Sequence, residues 1–259
     1  MECGFHDQYV VVAGGFRGMG FALAKFLLSD GANVCLIGRS AESREKARSA
    51  LAAFEGKVKF VEGDLSQSKT LNSVSCEVKE WCQGKLHHLV VFLGSGKTPF
   101  GYDFPSEHWK EVFDTNTFTP ISVVQSFLPI MLHREGHPSI TLTGAIAGVE
   151  RVRAPMTYSI AKTALIAYSS HLASHLVDQG VRVNTISPGN VFFKGGRWEE
   201  ILAQRASEIK EFLNRSVGMK RLGTAEELAW VYLSVMSPRN SFMTGQNIIA
   251  DGLQINKIL

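Results

Sequence analysis

The stretch that decides the fold is residues 9–20, which read YVVVAGGFRGMG. Its first five residues are rich in valine and predict a buried strand, and the apolar residues of 18–29 recur at helical spacing. Between them the pattern Gly-x-x-x-Gly-x-Gly, formed by Gly14, Gly18 and Gly20, predicts a tight turn that a pyrophosphate can approach closely. A strand, a glycine-rich turn and a helix in this order indicate a dinucleotide site, with a purely structural turn as the alternative.

The same alternation of short apolar runs and amphipathic stretches continues along the chain. Further strands are predicted at 33–37, 58–61, 88–93, 139–142, 182–186 and 247–250, and further helices at 41–54, 67–83, 106–133, 157–178 and 224–236. Thr224 stands three residues before Glu227, which indicates a capping box at the start of the last helix. The sequence therefore predicts an α/β fold, a doubly wound parallel sheet of Rossmann type with about seven strands, in a single domain that covers residues 1–259.

The composition is that of an average globular protein. Apolar residues make up 45% of the 259 residues and charged residues 20%, which excludes disordered, collagen-like and coiled-coil chains. The 27 basic and 24 acidic residues leave a net charge of +3 with no basic cluster, so no nucleic-acid partner is expected. With no signal peptide, no long apolar segment and four scattered cysteines, we expect a cytoplasmic protein that does not bind membranes. His171 and His175 lack a clear third ligand, so no metal site is expected.

The end of the second predicted strand indicates which nicotinamide cofactor would bind. It reads Gly38-Arg39-Ser40 and lacks the carboxylate that an NAD site uses for the ribose 2′-hydroxyl. Arg39 offers a fork of donors that suits a 2′-phosphate, and Arg17 in the glycine turn could reach the same phosphate. Either arginine alone could be a solvated surface residue, but together with the missing acid they favour NADP(H).

Tyr158 and Lys162 are four residues apart on a predicted helix and share a face. A phenol near pKa 10 is a poor acid at neutral pH, and a neighbouring ammonium lowers its pKa. Such a pair can pass a proton to a carbonyl oxygen while a nicotinamide delivers hydride. Without the glycine turn upstream, an exposed Tyr and Lys on one face would be the better interpretation.

With these motifs the chain resembles the short-chain dehydrogenase/reductase family, in the branch that includes the 3-oxoacyl-carrier-protein reductases. The resemblance covers nearly the whole length and extends to Asn116, which matches the helix asparagine of the family's catalytic tetrad. It implies that Tyr158 is the general acid in reduction, that Lys162 binds the nicotinamide ribose, and that Asn116 anchors a proton-relay water. It also implies a homodimer or homotetramer packed through the 106–133 and 157–178 helices and the final strand. The residues expected at the cofactor are Gly14, Phe16, Arg17, Gly18, Met19, Gly20, Arg39, Ser40, Asp64, Leu65, Leu93, Gly94, Tyr158, Lys162, Pro188, Gly189 and Val191.

The departures from the family pattern bear on mechanism. The family places a serine thirteen residues before the tyrosine, where this chain has Ala145. Thr143 faces the same side of an extended strand but lies about 6.5–7 Å further along it, too far to replace that hydroxyl without a bulge. Val91 and Phe92 replace the family's two asparagines, and Phe193 replaces the threonine that usually follows the Pro-Gly turn. A further departure is Ala13, where the family's glycine turn usually begins with threonine.

The segment at about 190–216 is predicted to cover the substrate, as the resemblance implies. Phe192, Phe193 and Trp198 suggest an apolar pocket, whereas Lys194 and Arg197 could hold a carboxylate or a phosphate. Lid packing and solvated charges are the alternative for both groups. With Thr143 and Ala145, these three aromatic residues are the substrate candidates.

Three functional hypotheses follow from the sequence. The leading one is an NADP(H)-dependent carbonyl reductase or alcohol dehydrogenase for a small, partly apolar substrate. The second is a catalytically impaired NADP(H)-binding regulatory or scaffold protein on the same fold, because Ala145 replaces the serine. The third is a biosynthetic enzyme whose hydroxylated substrate supplies the missing hydroxyl.

Overall fold

The computed structural model describes residues 2–132 and 136–256, and its centre is a seven-stranded parallel sheet in the order β3-β2-β1-β4-β5-β6-β9. The strands are β1 (Tyr9–Ala13), β2 (Asn33–Gly38), β3 (Val58–Glu62), β4 (His88–Val91), β5 (Ser139–Thr143), β6 (Arg182–Pro188) and β9 (Asn247–Ala250). Two short strands, β7 (Val191–Phe192) and β8 (Gly223–Thr224), pair separately. The predicted doubly wound sheet is confirmed.

Helices connect the strands and cover both faces of the sheet. They are α1 (Gly18–Ser29), α2 (Ala41–Ala50), α3 (Ser68–Trp81), α4 (Ser106–Phe113), α5 (Thr119–Phe127), α6 (Met156–Leu176), α7 (Arg197–Ser216) and α8 (Ala225–Met236). Among the described residues, none of these helices is both long and apolar enough to cross a membrane.

Side chains alternate between two hydrophobic cores along β1, as the period of a strand requires. Val10 and Val12 enter the core beneath α1 and α8, whereas Val11 and Ala13 enter the core beneath α3, α5 and α6. Because both faces are buried, the strand is apolar throughout. Its carboxyl end leads directly into the glycine turn.

The predicted helix at 106–133 is wrong in its continuity. The structure has α4, then one π-helical turn at Asp114–Phe118, then α5 and a 3₁₀ turn at Leu128–Ile130. Residues 133–135 lie outside the described residues, as do residues 1 and 257–259 of the predicted domain. The fourth strand is also shorter than predicted, because the chain leaves the sheet after Val91.

Candidate active site

The glycine turn brings α1 against the end of β1 as closely as backbones allow. A Cβ placed on Gly20 would lie 2.6 Å from the Gly14 carbonyl oxygen, so Gly20 is required at this position. The first turn of α1 has no side-chain cap and no acidic residue, which leaves its N–H groups and positive dipole end for an anion. Gly18 has φ +58°, and the Phe193 ring lies against it.

Phe16 fills the space at the end of β2. A Cβ placed on Gly38 would lie 2.5 Å from Cδ2 of Phe16, so a carboxylate side chain at residue 38 has no room. Arg39 is exposed and its guanidinium lies 3.9 Å from the Asp64 carboxylate. The Ser40 hydroxyl accepts a hydrogen bond from the Ser43 amide at 3.2 Å and caps α2. This corner therefore presents one exposed arginine fork, in a long ion pair with Asp64, and lacks an acid at the end of β2.

Arg17 lies at the opening of this corner but is directed at the 190–216 segment. Its Nη1 donates to the Gly195 carbonyl at 3.0 Å.

A cavity of about 530 Å³ is lined by Gly14, Phe16, Arg17, Arg39, Ser40, Asp64, Leu65, Leu93 and Gly94, all predicted cofactor residues, together with further residues of the same loops. The Asp64 carboxylate accepts hydrogen bonds from the Ser66 amide and hydroxyl, which lower the pKa of Asp64.

A larger cleft of about 1360 Å³ adjoins this cavity, and the two share Phe92, Leu93, Gly94 and Ser95. The cleft is lined by Met19, Thr143, Ala145, Tyr158, Lys162, Pro188, Gly189, Val191, Phe193 and Trp198 among others. The predicted catalytic tyrosine and lysine thus line a cleft that shares one wall, residues 92–95, with the cavity at the arginine corner.

Asn116 lies in the π-helical turn and joins it to the loop after β4. Its Oδ1 accepts from the Ser95 amide at 2.8 Å, and its Nδ2 donates to the carbonyls of Ser95 and Val112 at 3.1 and 3.0 Å. Gly94 adopts φ +139°, and a Cβ there would lie 2.9 Å from Asn116 Oδ1 and 2.8 Å from Lys162 Nζ. A side chain at this position would therefore collide with both the asparagine and the lysine.

Lys162 is buried, and its ammonium group is held by backbone carbonyls. Nζ donates to Thr143 O at 2.8 Å and to Leu93 O at 3.4 Å. Burial lowers the pKa of Lys162 to about 8, so the side chain remains mostly protonated at neutral pH.

Tyr158 also lies at the cleft, and burial raises the pKa of its phenol to about 12. From the spacing of the two residues, the Lys162 ammonium was expected to lower the pKa of Tyr158. In the structure the cation that opposes the rise in the pKa of Tyr158 is Arg197, at the start of α7. The expected lowered pKa is therefore not present here, because desolvation outweighs the nearby charge.

The position of the missing serine is occupied by the methyl group of Ala145, which is buried at the cleft wall. Thr143 does not supply a substitute hydroxyl. Its Oγ1 is 2.8 Å from the phenol oxygen of Tyr232 on α8, a fully buried side chain that sequence reasoning did not single out. The sequence did carry a signal for it, because this tyrosine stands at a position of α8 where helical spacing predicts a buried apolar side chain.

The 190–216 segment folds as β7, a glycine turn and α7, which is broken at Arg205 by non-helical dihedral angles. Trp198 lines the cleft, and its ring stacks on the Phe212 ring with the two ring centroids 6.3 Å apart. Phe192 is exposed and lies outside the lining of the cleft, whereas Phe193 lines it, so the role of Phe192 at the substrate stays a prediction. Neighbours in a strand point to opposite sides, which separates it from Phe193.

Two residues of the β4 loop were missed by the sequence analysis. The Arg197 guanidinium donates to the Gly96 carbonyl, and Lys97 forms an ion pair with Glu200 at 2.8 Å. Both contacts tie the 190–216 segment to the loop after β4. Polar residues directly after a strand of a parallel sheet were the signal that could have pointed to this loop.

The residues present fit a nicotinamide dinucleotide. An uncapped helix N-terminus, the close Gly14–Gly20 approach and two adjoining cavities, one lined by Arg39 and the other by Tyr158, match an extended molecule with a central pyrophosphate.

Comparison with known proteins agrees with this geometry. The family model described as Enoyl-(Acyl carrier protein) reductase matches residues 14–252. The oxidoreductase asL5 of Sarocladium schorii is 31% identical over 243 residues, 93% of each chain, and the isoepoxydon dehydrogenase patN of Aspergillus clavatus is 29% identical over 245 residues, 94% of this chain and 93% of that one. The L-sorbose reductase structure from Gluconobacter frateurii superposes with a TM-score of 0.91 at 23% identity and covers 100% of both chains. The chain belongs to the short-chain dehydrogenase/reductase family.

Proposed function

We propose that this protein is an NADP(H)-dependent oxidoreductase that interconverts a carbonyl and an alcohol on a small, partly apolar or hydroxylated substrate. The observation that carries the proposal is that Tyr158 and Lys162 line one cleft, that this cleft shares the loop 92–95 with the cavity at the glycine turn, and that Asn116 holds this loop. The relatives are named as oxidoreductases, and the sorbose reductase structure holds NADPH and L-sorbose.

Three side chains, Tyr158, Lys162 and Asn116, have distinct roles in the proposed reaction. When bound, NADP(H) supplies or accepts the hydride. The Tyr158 phenol donates its proton to the substrate oxygen in reduction and accepts it in oxidation. The Lys162 ammonium lies on the same helical face, held by Thr143 O, and would bind the nicotinamide ribose. The Arg197 guanidinium lowers the pKa of Tyr158 and so favours the phenolate that remains. Asn116 fixes the loop that carries Leu93 to Ser95, and thereby the wall of the channel.

The preference for NADP(H) rests on the corner at the end of β2. Phe16 excludes a side chain at residue 38, and Arg39 is exposed beside the same cavity. A guanidinium there pairs with a 2′-phosphate, which NAD(H) lacks. Arg39→Gln should therefore weaken NADPH binding by about 10-fold or more while NADH binding changes little. Arg48→Gln is the control, because Arg48 lies over the Phe60 ring, outside this cavity.

The test of the activity uses Tyr158→Phe. We expect NADPH to bind both proteins, measured by fluorescence titration, and the variant to lose at least about 10²-fold in kcat because the proton donor is gone. Failure of the wild-type protein to bind NADPH, or turnover by Tyr158→Phe at the wild-type rate, would overturn the proposal.

A second candidate is an impaired NADP(H)-binding protein on the same fold. It is favoured by Ala145 at the serine position and by the engagement of the Thr143 hydroxyl with Tyr232. It predicts tight NADPH binding without oxidation across a broad carbonyl panel.

We further propose that the 190–216 segment is the substrate lid and that the protein is a homodimer or homotetramer in the cytoplasm. Exposed apolar residues on the expected contact elements support the assembly, with Phe118 in the π-helical turn, Ile160 on α6 and Ile249 on β9 all more than a third exposed. Light scattering coupled to size-exclusion chromatography should give a mass that is two or four times 28.5 kDa.

A further inference from the structure

Arg197 occupies an unusual place for a charged side chain. It is half-buried at the first position of α7, and its guanidinium lies beside the proton-donating tyrosine. A Cβ placed on Gly96 would be 3.3 Å from Nη1 of Arg197 and 3.7 Å from Cζ of Tyr158, so both groups border the same small volume. Arg197 also lowers the pKa of the Tyr158 phenol against the effect of burial.

Within residues 2–132 and 136–256, no carboxylate is ion-paired with Arg197. Its hydrogen bond to the neutral Gly96 carbonyl uses one of the five N–H donors of a guanidinium. Nearby acids have other partners, since Glu199 accepts from the Gly195 amide and Glu200 pairs with Lys97. The remaining donors of Arg197 are thus available to a group in the cleft.

The cleft as a whole is strongly positive. Besides Lys162 it is lined by six cationic side chains, Arg151, Arg153, Arg197, Arg205, Arg215 and Lys220, and by two carboxylates, Glu150 and Glu208. The entire chain carries a net charge of only +3, so its basic excess is concentrated at this opening. A concave surface with one sign of charge focuses its field and attracts ions of the opposite sign.

We propose that Arg197 binds an anionic group of the substrate, a carboxylate or a phosphate, and so presents the neighbouring carbonyl to Tyr158. This substrate class rests on the proposed oxidoreductase function and deepens it. The planar guanidinium matches either anion with two parallel hydrogen bonds, which fixes orientation as well as position. Trp198, the residue after Arg197, and Ile201, one turn further along the same helix, give the carbon chain between the two groups an apolar wall.

Two substrate pairs test the proposal, each with a charged and a neutral member that share one carbonyl. The pairs are 4-oxopentanoate with its methyl ester and dihydroxyacetone phosphate with dihydroxyacetone, and they distinguish a carboxylate from a phosphate. We expect the wild-type kcat/KM with NADPH to favour the charged member of at least one pair by about 10-fold or more. Arg197→Gln should lower kcat/KM on the charged member by about 10-fold more than on the neutral member and so abolish this preference, and Arg197→Lys should restore part of it.

Lys210→Gln is the matched control, because it removes one positive charge from α7 at an exposed position outside the cleft lining. It should keep the wild-type preference, and circular dichroism should show that all variants fold. Equal wild-type rates on charged and neutral members, or equal losses on both in Arg197→Gln, would overturn the proposal and leave Arg197 a structural strap to Gly96.

A binding measurement separates this inference from the proposed function. Calorimetric titration of the NADP⁺ complex should show that 4-oxopentanoate or dihydroxyacetone phosphate binds at least about 10-fold more tightly than its neutral partner, and that Arg197→Gln removes the difference. Reduction of neutral ketones without any charge preference refutes the substrate class alone. Charge-dependent binding without turnover of any ketone refutes the oxidoreductase and supports the anion site.

Discussion

Gly38 is the residue at which the proposed preference for NADP(H) is decided. The sequence analysis interpreted it as a missing carboxylate, and the structure adds the physical reason, since the Phe16 ring occupies the place of any side chain there. We expect Gly38→Asp alone to destabilise the fold by about 1–3 kcal/mol through overpacking, without creating NADH binding. The double variant Gly38→Asp with Phe16→Ala should accept the carboxylate and shift the ratio of NADH to NADPH affinity at least about 10-fold toward NADH. Fluorescence titration with both cofactors measures the ratio, and an unchanged ratio in the double variant would contradict the argument.

Ala145 is the second residue with a testable consequence. Its methyl group lines the cleft where a hydroxyl donor to the substrate oxygen would lie, and one such donor contributes about 10²–10³ in rate. We expect Ala145→Ser to raise kcat on simple ketones by about 10-fold or more at saturating NADPH. Ala147→Ser, at the same cleft but in the 3₁₀ turn Ile146–Gly148 that follows Ala145, should leave kcat unchanged. No gain in Ala145→Ser would favour the impaired binding protein.

Sequence spacing could predict which residues meet, but not how their ionisation is balanced. Tyr158 and Lys162 share a helical face because they are four residues apart, and this holds. The depth of burial, which raises the pKa of one and lowers the pKa of the other, depends on packing that no spacing reports. Likewise, the Thr143 partner Tyr232 lies 89 residues away.

At the scale of elements, the alternation of strand and helix was predictable because each has its own hydrophobic period. The π-helical turn at Asp114–Phe118 was not, since its residues fit helical spacing on both sides. Its cause is tertiary, because Asn116 bonds to Ser95 and Thr117 Oγ1 donates to the Ala161 carbonyl at 2.8 Å. Such turns are frequent at functional sites because they re-aim backbone carbonyls.

The attachment of the 190–216 segment gives a prediction at this scale. The Lys97–Glu200 pair is exposed, and such pairs stabilise by about 0–1 kcal/mol, so Glu200→Gln should leave the Tm nearly unchanged. Because this pair joins α7 to the β4 loop, its loss should speed NADPH dissociation by a few-fold in stopped-flow experiments. Glu211→Gln breaks the Arg215–Glu211 pair within α7 and should not alter that rate. Equal rates in both variants would show that the pair does not hold the segment.

For the whole molecule, burial of Lys162 links stability to pH. Its pKa in the folded protein is about 8, below the ordinary 10.5, so the unfolded chain holds this proton more tightly. Burial of the protonated side chain therefore reduces the free energy of unfolding. This reduction is fully present below pH 8 and disappears as the pH rises to 10.5. The free energy of unfolding of the wild type, relative to Lys162→Met, should therefore rise by about 2 kcal/mol between pH 8 and pH 10 in urea denaturation. Lys210→Met, at an exposed position, should show no such rise, and parallel profiles for the wild type and Lys162→Met would contradict the assignment.

The strand order has a consequence for how the chain acquires activity. Gly189 at the cleft donates its amide to Ala250 O at 3.0 Å, and a Cβ on Gly189 would lie 2.8 Å from Asp251, so this end of the cleft is completed by the last strand and the residue after it. The first strand lies inside the sheet, between β2 and β4, and cannot complete its pairing until β4 is in place. Long-range parallel pairing of this kind is slow, because large loops must close before any contact forms. We therefore expect a refolding or newly synthesised chain to regain its helical signal well before its enzymatic activity. The lag between these two events measures how long β9 takes to dock.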